Sequence, residues 1–197
     1  SERMLAEIIQ AGCLISSDPD DADVVVINTC GFIAPARQEA VETIKHAVDC
    51  KRKGSVKKII VAGCMAERSG KGLFDEVEGI DAVVGLGQRD MIADIVKQTL
   101  SSGRQSVYLE PSSAAINDDR ARLLITPRHW AYLRISEGCS HNCSFCTIPS
   151  IRGKLRSKPA ELVLSEAREL ISSGVVELNI IAQDITSYGR DLGKKDS

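Results

Sequence analysis

Three cysteines crowd one short stretch, Cys139-Ser140-His141-Asn142-Cys143-Ser144-Phe145-Cys146, in a CxxxCxxC spacing directly after a predicted strand. Thiolates this close together can wrap one face of a cubane iron-sulfur cluster, binding three of its four irons and leaving the last one open. A structural zinc ion is the competing occupant, and it would want a fourth ligand, for which only His141 inside the loop or His129 upstream is at hand. Unliganded core thiols are the third reading. An electron carrier or a structural staple gains nothing from an open iron. Binding of a further cofactor therefore separates an enzyme from a non-enzymatic iron-sulfur or zinc protein.

Two more cysteines stand at strand ends. Cys30 lies in Asn28-Thr29-Cys30-Gly31 and Cys64 in Gly63-Cys64-Met65-Ala66, each just past an aliphatic run. Open α/β sheets place ligands at the C-terminal ends of their parallel strands, so the two thiols can converge despite their separation in sequence. The plain alternative is a pair of buried strand-end thiols. Cys13 follows the first helix and is expected at the opposite end of the sheet from Cys30, whereas Cys50, beside Lys51-Arg52-Lys53, reads as an unliganded surface or edge thiol after a helix. Seven cysteines are many for a cytosolic chain, and an odd number argues against a complete disulfide framework, which leaves metal or redox chemistry.

The elements that carry these residues follow from periodicity. With 43% hydrophobic and 26% charged residues in 197, the chain can build a core, and its net charge of -2 gives no global attraction to nucleic acid or anionic lipid. No apolar run approaches the roughly 20 residues that span a bilayer, and Ser1-Glu2-Arg3 resembles no signal peptide, so a cytoplasmic location is expected. Glu2–Gln10 reads as a helix with Leu5, Ile8 and Ile9 on one face and Gly12 as its stop. Val24–Ile27, Lys58–Ala62 and Asp81–Val84 are continuous apolar runs, as expected of parallel strands covered on both faces. Pro35–Val48 is helical, and so is Met91–Leu100, with Met91, Ile92, Ile95, Val96 and Leu100 together.

This alternation predicts βαβ units and a mostly parallel sheet in a domain over 1–102. Residues 103–127, with Pro111-Ser112-Ser113 and the mixed charges Asp118-Asp119-Arg120-Ala121-Arg122, are expected to be an interdomain connection. A second α/β domain over 128–197 reads as strand Trp130–Ile135, the cysteine loop, helix Ala160–Ser173 stopped by Gly174, and strand Glu177–Ala182, with a polar, Lys-rich Gly189–Ser197 after it. Both ends look cut short: the first sheet opens on a helix with no initiator methionine, and one βαβ unit cannot bury both its faces alone. The basic stretch Arg152, Lys154, Arg156 and Lys158 reads first as a solvated charged segment and second as an attractor for an acidic substrate or rRNA. Arg128 and His129 read as packing or capping residues, or as a bridge between domains.

The loop with an aromatic before its last cysteine, within Ile135-Ser136-Glu137-Gly138-Cys139 through Phe145-Cys146-Thr147-Ile148-Pro149-Ser150-Ile151-Arg152-Gly153, resembles the signature of radical S-adenosylmethionine methylthiotransferases. Thr126-Pro127-Arg128-His129 and Ala182-Gln183-Asp184 are similar to the RimO-type branch, and the resemblance runs over essentially the whole chain. It implies an N-terminal open parallel-sheet α/β domain of the methylthiotransferase type followed by the start of a radical SAM partial (β/α) barrel. Two 4Fe-4S clusters are implied: one on Cys139, Cys143 and Cys146 that binds S-adenosylmethionine, the other on Cys30, Cys64 and a third cysteine upstream of Ser1, carrying the sulfur to be inserted.

The implied activity is insertion of a methylthio group at the β carbon of an aspartate in a small-subunit ribosomal protein. Phe145 and Thr147 would lie against the adenosine, or else simply pack the loop; Gln183 and Asp184 would contact the methionine or ribose part, or Asp184 would cap whatever follows it. The resemblance also implies an electron donor of flavodoxin or ferredoxin type and a TRAM-type domain that contacts the substrate, possessed by the complete enzyme and not by this piece, which is expected to be inactive by itself. The nearest rival is a tRNA adenosine methylthiotransferase (MiaB-type), and the rival of another class is a non-enzymatic iron-sulfur or zinc protein.

Overall fold

Runs as continuously aliphatic as Val24–Ile27 and Ile59–Ala62 need cover on both faces. The computed structural model, which describes residues 1–110 and 118–193, provides it. The Pro111-Ser112-Ser113 break and residues 194–197 of the Lys-rich end lie outside the described residues. The chain divides into two compact units, with the break between residues 110 and 118. Among the described residues no helix is long and apolar enough to cross a membrane.

In the first unit, β1 (Val24–Thr29), β2 (Lys58–Gly63), β3 (Ala82–Val84) and β4 (Ser106–Tyr108) form one parallel sheet in the order β1-β2-β3-β4. The pleat sorts their side chains. Ile27, Ile59, Val61 and Val83 pack with Ile44, Ala47 and Val48 of α2 (Ala34–Lys53), and with Met65, Ala66 and Leu73 from α3 (Cys64–Ser69) and α4 (Gly72–Glu76). Ile60, Ala62, Ala82 and Val84 pack on the other face with Met4 and Ile8 of α1 (Glu2–Gln10) and Ile92, Ile95 and Val96 of α5 (Ile92–Ser101).

Several details differ from the sequence expectations. In α1 Met4 joins Ile8 in the core while Ile9 is exposed, and in α5 Thr99 is buried while Met91 and Leu100 stay outside. Both helices present the i, i+3, i+4 face that their docking angle selects, which periodicity alone leaves ambiguous by one position. Helix α2 runs to Lys53 and ends on left-handed Gly54, so Lys51, Arg52 and Lys53 form its last turn, where cations suit the helix dipole. Cys50 is accordingly inside α2 and buried, not a surface thiol after it; the Asp20 carboxylate, and then burial, push its thiol up. Within the stretch read as a connection, Ser106–Tyr108 is the fourth strand, too short to register as a period.

The second unit is a βαβ unit. β5 (Trp130–Arg134) and β8 (Glu177–Ile181) pair in parallel, and α7 (Ala160–Ser172) crosses between them. Ala131, Leu133, Ile135, Leu170 and Val175 make its core. After Ile135 the chain leaves β8 and pairs through β6 (Ser136–Glu137) with antiparallel β7 (Arg156–Ser157), a ribbon that the sequence did not suggest.

A chain of alternating charges ties this ribbon to α7. Glu137 bridges Arg134 and Arg152; Arg134 also reaches Asp119 at 2.7 Å; Asp119 meets Lys158 Nζ at 3.1 Å; Lys158 meets Glu166 at 2.5 Å; and Glu166 meets Arg122 at 2.7 Å. Lys158 is 0% exposed and Glu166 1%. The basic stretch is therefore not a solvated segment: Lys158 is buried, Arg152 and Arg156 are half-buried, and only Lys154 of the four is exposed. A buried ammonium without such partners would cost several kcal/mol, about the whole stability of a small domain. Burial pushes the Glu137 carboxyl up, but Arg134 and Arg152 more than offset it and hold the group below the usual carboxylate range.

Two outcomes are expected. Ile92→Ala, at a fully buried site, costs about 2–5 kcal/mol in urea denaturation, against about 0.5 kcal/mol or less for Leu100→Ala on the same helix. Glu137→Gln destabilises by about 1–3 kcal/mol at pH 7. Because the folded carboxyl is depressed, its contribution is complete above the unfolded pKa and is lost as pH falls, so the gap between wild type and variant closes below about pH 4.

Candidate metal centre

The cysteine loop leaves the end of β5 and is pinned at both of its ends. Ile135 N–H still donates to Ile181 O at 3.1 Å, and three residues later the chain must turn back on itself. Gly138 makes that turn in the left-handed region, at φ 76°, so close to the returning strand that a Cβ would sit 2.6 Å from Gly153 O and nearer still to Lys154 O. Cys139 N–H then donates to Gly153 O at 3.1 Å, and Leu155 N–H donates to Ser140 Oγ at 3.1 Å. At the far end Cys146 N–H closes a turn onto Cys143 O at 3.0 Å, and Ile148 N–H, at the start of α6 (Ile148–Arg152), lies 3.5 Å from Cys146 Sγ.

The three thiols differ in exposure: Cys139 is buried, Cys146 half-buried and Cys143 exposed. Phe145 between the last two is 89% exposed. Thr147 caps the entrance to α6, its carbonyl accepting from Ile151 N and Ser150 Oγ.

The segment after β8 supports the loop from the side. Gln183 Oε1 accepts from Gly138 N at 2.7 Å. Asp184 caps a one-turn 3-10 helix, accepting from Thr186 N at 3.1 Å, Thr186 Oγ1 at 2.7 Å and Ser187 Oγ at 2.5 Å, and it also meets His141 Nε2 at 2.8 Å. The Ser187 and Thr186 hydrogen bonds, then His141, hold its carboxyl far below the usual carboxylate range. Cys139, His141 and Asp184 thereby form a group whose ligand atoms all lie within 4.8 Å of one another. His129 stands before β5, at the end of the strand away from the loop, its carbonyl accepting from Val176 N and Glu177 N; Arg128 beside it is exposed. It cannot serve as a fourth ligand.

In the first unit the register pairs Thr29 with Gly63, so Cys30 and Cys64 each follow a matched pair at the same end of the sheet. Thr29 Oγ1 donates to Ala62 O at 2.7 Å, and Gly31 runs so close that a Cβ there would be 2.6 Å from Cys64 O. Cys30 is exposed and Cys64 buried. Two neighbours that sequence reasoning missed hold these loops together: Arg68 donates to Gly31 O at 2.9 Å, and Glu67 Oε2 accepts from Leu86 N, beyond β3, at 2.7 Å. Their only signal was an adjacent acid-base pair, Glu67 in the first turn of α3 and Arg68 in its last. Cys13 packs instead on the core face shared by α1 and α5.

Residues 1–85 match the Uncharacterized protein family UPF0004, and residues 133–195 match the Radical SAM superfamily. The chain is 45% identical to a ribosomal protein uS12 methylthiotransferase RimO of Solibacter usitatus, over 100% of this chain and 41% of that protein. Proteins of the same name from Clostridioides difficile and Geobacter sulfurreducens are 43% and 42% identical, over 100% and 98% of this chain and 44% and 43% of theirs. The chain thus spans less than half the length of these curated relatives. A unit similar to UPF0004, with cysteines just past the ends of two paired strands, is thus followed by a unit similar to the Radical SAM superfamily that opens on a three-cysteine loop, and along its whole length the chain is similar to proteins named ribosomal protein uS12 methylthiotransferase RimO.

Proposed function

We propose that this chain is the cluster-bearing part of an enzyme that inserts a methylthio group at the β carbon of an aspartate in ribosomal protein uS12. Cys139, Cys143 and Cys146 hold one 4Fe-4S cluster, at whose open iron S-adenosylmethionine binds, and Cys30 and Cys64 are two ligands of a second cluster. The observation that carries this reading is the loop itself: three free thiols on a turn pinned at Gly138 and Gly153, with a backbone N–H directed at the sulfur of Cys146. That donor set suits the cluster, since thiolates bind it and hydrogen bonds to their sulfurs tune it. Bound together, the cluster and S-adenosylmethionine supply radical chemistry at an unactivated carbon.

The protein's own groups do the positioning. Gln183 fixes the start of the loop through Gly138 N, and Asp184 fixes His141 inside it, so both residues act on the loop in addition to the cofactor contacts expected of them. Phe145 and Thr147 flank Cys146 in the chain and would lie along the adenosine, or else pack the loop. Arg68 and Glu67 hold the loops that carry Cys30 and Cys64. The uS12 substrate comes from the names of the relatives. Seven free thiols suit a reducing compartment, the cytoplasm, where a flavodoxin- or ferredoxin-type donor provides the electron.

Iron and acid-labile sulfide after anaerobic reconstitution test the site. About four irons per chain are expected, lost in Cys143→Ala and retained in Cys30→Ala. About eight would mean that a further group completes the second site, and stoichiometric zinc without sulfide would overturn the reading in favour of a metal-stapled fold. Gly138→Ala, which collides with the Gly153 and Lys154 carbonyls, is expected to fold but to lose most of the loop's iron. For the substrate, the full-length enzyme is incubated with uS12 and, separately, with tRNA; mass spectrometry finding the methylthio group on tRNA adenosine and not on the protein aspartate would reassign it to the rival branch.

A further inference from the structure

We infer that the cluster-free loop is a site for a single soft divalent cation, zinc by preference, held by Cys139 Sγ, His141 Nε2 and Asp184 Oδ2 and not by the three loop cysteines. The site shares only Cys139 with the cluster set, so cation and cluster exclude one another.

Tetrahedral zinc with bonds of about 2.0–2.3 Å sets its ligand atoms about 3.4–3.6 Å apart. The three ligand atoms here already lie within 4.8 Å of one another. The one tight pair, His141 Nε2 and Asp184 Oδ2 at 2.8 Å, has to open by only about 0.6 Å to admit the ion between them. One thiolate, one imidazole and one carboxylate form a mixed set typical of zinc, with a fourth position left for water.

The supporting shell is in place, as metal ligands require. Asp184 is oriented by Thr186 and Ser187, and Cys139 is fixed through its N–H on Gly153 O, with Gly138 before it held by Gln183. The His141 side chain is 56% exposed and gives the ion a way in, while Cys139 is buried. On binding, the Cys139 thiol releases its proton to solvent, the His141 Nε2 proton is given up so that the neutral ring carries its hydrogen on Nδ1, and the hydrogen bond between His141 and Asp184 is exchanged for two metal bonds. Cys143 and Cys146 take no part, which is why a fourth protein ligand on a three-cysteine zinc site is not needed. The inference does not depend on the radical reading, because it concerns the chain before any cluster is present.

The test is titration of the reduced, chelator-stripped chain with Co2+ as a spectroscopic probe, followed by displacement with Zn2+. One equivalent with thiolate-to-cobalt charge transfer is expected. His141→Ala and Asp184→Asn should each weaken binding by at least about 10-fold. Cys143→Ala and Cys146→Ala should leave it unchanged. Asp184→Asn keeps a cap on the 3-10 turn, and unfolding midpoints measured without metal confirm that each variant folds. Binding that survives both His141→Ala and Asp184→Asn, or that disappears with Cys143→Ala, would overturn the assignment. In the same preparation, one equivalent of zinc added before reconstitution should block iron uptake at the loop; full uptake with zinc still bound would refute the mutual exclusion. A chain that binds zinc as described yet never accepts iron would sink the proposed enzyme and leave this site standing.

Discussion

A parallel strand that is buried on both faces can present a reactive side chain only beyond its own end. The first unit is arranged around that constraint. β1 over Val24–Ile27 and β2 over Ile59–Ala62 are continuously aliphatic because α1 and α5 cover one face and α2 the other. The polar and sulfur chemistry therefore begins where each strand stops, at Cys30 and at Cys64. Register then does the assembling: once Val24 pairs with Lys58, Thr29 must pair with Gly63, and the two cysteines that follow come to the same edge. No long-range attraction between the thiols is needed to bring them there.

The second unit is different: its two strands leave Tyr132, Ile180 and Ile181 exposed, and its loop depends on another support. Its loop hangs from a two-stranded sheet, which by itself would hold it loosely. The ribbon of β6 and β7 and the charge chain from Arg152 through Glu137 and Lys158 to Glu166 supply the stiffness. A fully buried lysine is tolerated because two carboxylates meet it, and removing either would strand the other charges. Glu137 sits at the centre of this arrangement, one residue before the turn at Gly138 and two before the first loop cysteine. Charge pairing thus does for the loop what packing does for the strand ends in the first unit, and Gln183 and Asp184 brace it from beyond β8.

This division explains what was legible in advance. Long periodic segments such as α2, β2 and α7 were visible because hydrophobic spacing is a local property. Short elements were not: Ser106–Tyr108 and Ser136–Glu137 carry too few residues to show a period, and only their partners make them strands. Helix faces were legible to within one position, which is how Ile9 and Leu100 came to be expected inside and are found outside. The chemistry of the basic stretch was the least legible. Whether Lys158 is solvated or buried depends on Asp119 and Glu166, which are 39 and 8 residues away along the chain.

The sequence by itself determined the ligand types and their spacing: CxxxCxxC after a strand, and two thiols after aliphatic runs, because coordination chemistry is set by residue identity and short-range separation. Tertiary structure alone decided which of those groups have company. It set His141 against Asp184, Gln183 against Gly138 and Arg68 against Gly31, contacts spanning 43, 45 and 37 residues. Such pairings arise from strand register and chain reversal, which are properties of the folded backbone as a whole and leave no mark in any local stretch of residues.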